Sequence, residues 1–227
     1  MDDARALALL KLQSWLTPSF PVGAFSYSHG LEWAVETGLV RDGAGLRQWV
    51  DDVLTVGSGR SDAILLAASH SAYDDPERLA LIGELALALA PSRERLLETQ
   101  QQGTSFRDVM LQAWPTQNDG TARQSPLGAI AYPIALGMAA GTHGIALADA
   151  LPAFLNAFAS NLVSAAIRLS VIGQTEAQAI IASLLPTVQS VAMEAQHATL
   201  DDLGNGALGV DFASMLHETQ YSRLFRS

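Results

Sequence analysis

The chain has 227 residues, 49% hydrophobic and 16% charged, a globular composition with enough length to bury a sizeable core. With 23 acidic against 13 basic residues it repels nucleic-acid phosphates, and with no cysteine it can hold neither a disulfide nor a thiolate metal site. Its start, MDDARALALLKLQSW, is acidic where an export signal needs a basic segment, so a cytoplasmic location is expected.

Helical signals follow one another along the chain. Leu9, Leu12 and Leu16 mark the face of a first helix that Thr17-Pro18 ends, because proline lacks a donor and restricts the residue before it. The run SFPVGAFSYSHGLEWAVE, residues 19 to 36, turns at Pro21 and Gly23 and is expected to become helical near Ser26 or Ser28, either of which can cap it. Leu46, Trp49, Val50 and Val53 continue the 3.6-residue period. Asp75-Pro76-Glu77 reads as an N-cap with proline at the first helical position, opening a segment with Leu79, Ile82, Leu85 and Leu89 on one face. Ser92 caps a further helix that carries Leu96, Phe106, Val109 and Met110. Thr175 with Gln178 predicts a capping box before a long segment that Pro186 should kink or split. No run alternates as a strand does. The expectation is one all-α domain over residues 1–227, a bundle of roughly eight to ten helices with flexible loops at 115–126 and 201–209.

Residues 124 to 148 carry no charge and are long enough to cross a bilayer, with a Gly137-x-x-x-Gly141 spacing. Their alanine and glycine content, Pro133, His143 and the lack of basic flanks favour a closely packed buried helix pair instead. The following LPAFLNAFASNLVSAAIRL is apolar nearly all round and is expected to be central.

Catalytic motifs are absent or out of context. Gly204-Asn-Gly206-Ala-Leu-Gly209 matches the dinucleotide fingerprint without a preceding strand, Gly57-Ser58-Gly59 is no nucleophile elbow, and no catalytic residue or cofactor is assigned. His70 and His143 stand alone. If the helix opens near Ser26 or Ser28, His29, Glu32 and Glu36 share one face, which makes His29 and Glu32 weak metal-ligand candidates beside the plainer reading of a solvated helix face. Glu194 and His197 have a ligand spacing but no second pair. The C-terminal HETQYSRLFRS, residues 217–227, combines Tyr221, Arg223, Leu224, Phe225 and Arg226, residue types that interface cores favour; docking on a partner and packing back on the chain's own domain both fit. Phe20, Phe25 and Tyr27 form a comparable aromatic display. Arg168 lies in an apolar helix and is expected to pair with a carboxylate or face a dimer seam.

Three segments in order, TPSFPVGAFSYSHGLEWAVETGLV (17–40), Asn161 to Leu169 with Gly173-Gln174-Thr175, and HETQYSRLFRS, resemble the urease accessory protein UreF family. The resemblance implies a non-catalytic, all-α maturation factor that dimerises. It would join a second accessory protein (UreD, also called UreH) and the GTPase UreG to apo-urease for GTP-dependent nickel insertion, with tail contacts to UreD. Two other classes remain open on the residues alone: a helical metal-dependent protein using His29, Glu32, Glu194 and His197 in one site, and a membrane protein through residues 127 to 148.

Overall fold

Asp42, Asp75 and Ser92 each end a loop and begin a helix. Their side chains accept from Gly45 N (2.8 Å), Arg78 N (3.0 Å) and Arg95 N (3.1 Å), satisfying amide groups that the first helical turn leaves without partners. In the computed structural model, which describes residues 3–116 and 128–227, ten α-helices follow in order. They are α1 (Asp3–Trp15), α2 (Leu31–Glu36), α3 (Gly43–Thr55), α4 (Ser58–Ser71), α5 (Pro76–Ala88), α6 (Arg93–Ala113), α7 (Tyr132–Thr142), α8 (Leu147–Arg168), α9 (Gln174–Ala195) and α10 (Leu208–His217). Among the described residues there is no strand, and the all-α expectation holds.

The centre of the bundle is α7, buried continuously from Pro133 to Ala140, and it packs chiefly against α4 and α6. Gly137 makes the close approach possible: a Cβ there would lie 2.1 Å from Ser69 Oγ and 2.5 Å from the Leu66 carbonyl oxygen. The Gly-x-x-x-Gly spacing is therefore the seam of a buried helix pair. An eleven-residue helix rises only about 16 Å, well short of the roughly 30 Å of a bilayer core. Residues 117–127, which hold most of the expected 115–126 loop and the start of the uncharged stretch, lie outside the described residues. Among the described residues one helix, α8, is long and apolar enough to cross a membrane by length and composition; half of its most apolar stretch is buried against the rest of the chain.

Several local expectations are corrected. Residues 24–26 form a short 3-10 turn, and α2 starts only at Leu31, behind Gly30 rather than a serine cap. His29 (φ 56°) and Gly30 (φ 74°) both take the left-handed conformation, so His29 lies outside the helix and cannot share a helical face with Glu32 and Glu36. Gly30 meets two demands, because a Cβ would also fall 2.6 Å from Ser214 N on α10. Thr175 lies inside α9, whose N-cap is Gly173 with no side-chain bond, and Pro186 is accommodated within one continuous helix. Segment 201–209 is fastened: Gly206 N donates to the Val56 carbonyl (2.7 Å), Ser61 Oγ to the Gly204 carbonyl (2.9 Å), and Asn205 Nδ2 to Asp211 (2.8 Å).

Candidate functional site

The polar centre of the molecule is assembled from the N-terminal signature, the first half of α6 and the C-terminal tail. On α6 the buried face runs Arg95, Glu98, Gln102, Phe106 and Met110, so an apolar stripe turns polar toward the helix start. Arg95 and Glu98 form a close buried ion pair, and His29 Nδ1 lies 3.1 Å from Glu98 Oε1 and 2.9 Å from Arg95 Nη1. Burial, reinforced by the Arg95 charge, lowers the His29 pKa from its ordinary value. Glu98 is also desolvated, yet Arg95 and His29 together hold it down at about 2.

A second cluster holds the tail. His217, wholly buried at the end of α10, lies between Glu94 (Nδ1 to Oε2, 2.6 Å) and Glu32 (Nε2 to Oε2, 3.1 Å). Glu32 also accepts from Leu224 N (2.6 Å) and Phe225 N (2.9 Å), and Glu94 accepts from Arg223 Nη1 (2.7 Å). Beyond Phe225 the terminus is tied further: Arg226 N donates to the Ser26 carbonyl (2.8 Å), Ser28 N to the Ser227 carbonyl (2.7 Å), and Ser227 Oγ to Glu98 Oε2 (2.8 Å). Ser28, expected as a helix cap, accepts at Oγ from Glu32 N in the first turn of α2 (3.4 Å) and also donates its hydroxyl to the Ser227 carbonyl. The tail is thus packed on its own domain.

That packing sorts the residues expected at a partner surface. Phe20, Tyr27 and Phe225 are buried in the chain's own interior, which corrects the surface display expected of them. Phe25, Tyr221, Arg223, Leu224 and Arg226 remain exposed, Tyr221 completely. Arg168 has no carboxylate partner among the described residues, which corrects the expected ion pair. Its guanidinium is stacked between the rings of Phe25 (3.7 Å) and Phe225 (4.3 Å) and donates to the Phe25 carbonyl.

The four residues of the metal-site alternative do not converge. His29 is engaged with Arg95 and Glu98, Glu32 with His217 and the tail, and Glu194 with Arg60 (2.7 Å), while His197 is exposed. Among the described residues no group of three His, Asp or Glu side chains is arranged to hold a metal ion. His70 Nε2 is 2.8 Å from the Ile145 carbonyl oxygen, and His143 packs edge-on against Trp15. Sequence reading missed Asp62, Glu94, Arg95, Glu98 and Ser227. The signal for two of them was present: Arg95 and Glu98 lie on the α6 face that Phe106 and Met110 mark.

Asp62 on α4 is half-buried, and desolvation pushes its pKa up to about 7 against the opposing pull of Arg95. A carboxyl raised from 3.8 favours the folded state while protonated, and that contribution is lost as pH rises through about 7. Asp62→Asn should therefore match the parent stability near pH 4 and exceed it near pH 8 by about 1–2 kcal/mol, or about 3–6 °C in Tm. Thermal unfolding across that range checks the sign; an equal or lower Tm at pH 8 refutes it.

These features describe an all-α scaffold whose buried charges clamp its own terminus and leave one aromatic side of it exposed, without a catalytic constellation among the described residues. A family model named UreF matches residues 40–185. A urease accessory protein UreF of Xanthobacter autotrophicus is 52% identical over 97% of this chain and 92% of its own length. One from Methylorubrum populi is 52% identical over 96% and 98%, and one from Methylobacterium radiotolerans 48% over the whole of both chains. The chain belongs to the UreF family, whose members are accessory proteins and not enzymes.

Proposed function

We propose that this chain is the adaptor of a urease-maturation assembly. In this reading it acts in the cytoplasm as a homodimer and joins a UreD (UreH) protein and the GTPase UreG to apo-urease, enabling GTP-dependent insertion of nickel into the urease active site. The relatives' name supplies the pathway. The observation that carries the contact surface is the division of labour within the tail. Phe225 and Ser227 are buried and hold the terminus down, while Tyr221 and Leu224 project outward from a backbone fixed by Glu32. An exposed tyrosine and leucine on a pre-ordered strip present apolar area with little ordering cost on binding, which is what an interface centre requires.

The clamp also dictates how to test this. Deleting the last seven residues would remove Phe225 and Ser227 and perturb the fold together with the surface. The double variant Tyr221→Ala, Leu224→Ala changes only side chains that are mostly exposed. It should leave the unfolding free energy within about 0.5 kcal/mol of the parent. Its affinity for a UreD-type partner should fall about tenfold or more, read as loss of the complex mass by light scattering after co-purification. Undiminished assembly would remove the tail from the interface, and a chain that forms no complex with either partner would overturn the adaptor reading.

A further inference from the structure

A cleft of about 640 Å³ opens between α1, the 17–25 segment and α8, deep enough to reach the buried charges. Its size lies in the range of small-molecule sites, which are mostly apolar with a few convergent polar groups. The walls include Trp15, Phe20, Phe154 and Phe158, and the rim carries Asn156 and Ser160 of α8. This small, polar side of α8 explains why a helix expected to be central has one face turned away from the core.

Two groups on the cleft floor are unfinished. His29 is 4% exposed, its Nδ1 side is taken by Arg95 and Glu98, and its Nε2 is buried without a hydrogen-bond partner. Arg95 Nη1 donates to Nδ1, so Nε2 carries the ring proton and is a donor left without an acceptor. The Asp62 carboxyl lines the same floor and has no hydrogen bond or ion pair among the described residues, although Arg95 and Glu98 both influence it. Arg95 is already neutralised by Glu98, so the charge the floor has left to present is that of the Asp62 carboxylate. An anion would meet Asp62 and Glu98 and be repelled. A divalent metal would find too few ligands.

We propose that this cleft binds a small organic monocation, its apolar body lying along the aromatic wall and its ammonium or guanidinium head paired with Asp62. The aromatic faces suit a cation approaching from the mouth, and an unpaired carboxyl in an apolar cleft gains more from such a partner than one in water does. The site is independent of the tail surface argued above, so its failure leaves the adaptor reading untouched.

Binding should depend on the ionisation of Asp62. The charged groups that act on it are Arg95 and Glu98 of α6, and His29 before α2 and Tyr132 on α7 line the same cleft. With the Asp62 pKa at about 7, the ionised fraction falls from about nine-tenths at pH 8 to about one-tenth at pH 6.

The test is calorimetric titration of the full chain with phenylbutylamine and its neutral analogue phenylbutanol. At pH 8 the amine should bind at least about tenfold more tightly than the alcohol, and about tenfold more weakly at pH 6, where the alcohol is unchanged. Asp62→Asn should reduce amine affinity to that of the alcohol and abolish the proton release that accompanies amine binding at pH 7. Ala157→Trp, which fills the cleft from α8, should remove binding of both. Equal affinity for amine and alcohol, amine binding undiminished in Asp62→Asn, binding that survives Ala157→Trp, or no binding of the amine would each overturn the proposal.

Discussion

Replacing Glu32 with alanine should destabilise the chain by about 3–5 kcal/mol and release its C-terminal tail. Glu32 is nearly buried, and its two carboxylate oxygens accept from His217, Leu224 N and Phe225 N. Removing it leaves two backbone amides and one ring nitrogen without their acceptor, and each such buried group costs about 1–3 kcal/mol. Glu94 cannot compensate, because it holds the other nitrogen of His217 and the Arg223 guanidinium. Once the tail lifts, Phe225 leaves its site and the Arg168 guanidinium loses one of its two aromatic faces. Hydrogen exchange should show the amides of residues 224–226 losing protection, with denaturant unfolding reporting the stability loss. Glu32→Gln should fall between the two: its amide oxygen still accepts one bond, but its NH2 group faces donors on the other side. A Glu32→Ala chain of unchanged stability with a protected tail would show that the clamp contributes nothing.

How much of this was legible in the residues depends on whether a feature is local. The caps at Asp75 and Ser92, the α3 face of Leu46, Trp49, Val50 and Val53, and the close packing at Gly137 are set by neighbours a few positions apart, and all are found where the pattern puts them. The start of α2 was misread because Ser26 and Ser28 are good caps on local grounds. What displaces the start is long-range: Ser28 is engaged by Ser227, 199 residues away, and Gly30 must pass the backbone of α10. The same distance hid the clamp. Glu32 is legible only beside His29 and Glu36, and His217 only within the C-terminal segment; the fold alone brings the two to 3.1 Å. The cleft floor was harder still, since neither Asp62 nor Arg95 stands in a motif, and the perturbed environment of Asp62 arises from burial that no spacing announces.

Gly137→Ala is expected to destabilise by about 2–3 kcal/mol, with the opposite sign to what helix propensity alone predicts. In an exposed helix interior alanine is favoured over glycine by about 1 kcal/mol. Within α7 the added methyl would lie 2.5 Å from the Leu66 carbonyl oxygen and 3.1 Å from His70 N. The nearest atom, Ser69 Oγ at 2.1 Å, belongs to a buried side chain that donates back to the Leu66 carbonyl (3.0 Å), so rotating it away breaks that bond. The backbone atoms of α4 cannot rotate at all, and the two helices must separate. Separation loosens the most extensive helix contact in the molecule, and overpacking of this kind costs about 1–3 kcal/mol before lost contacts are included. Gly209→Ala supplies the control, because it lies in the first turn of α10 with no atom within 4 Å of the added Cβ. That variant should be neutral or more stable by up to about 1 kcal/mol. Chemical denaturation of the pair distinguishes the two effects: if both substitutions shift the midpoint in the same direction, close packing at Gly137 is not what makes glycine necessary there.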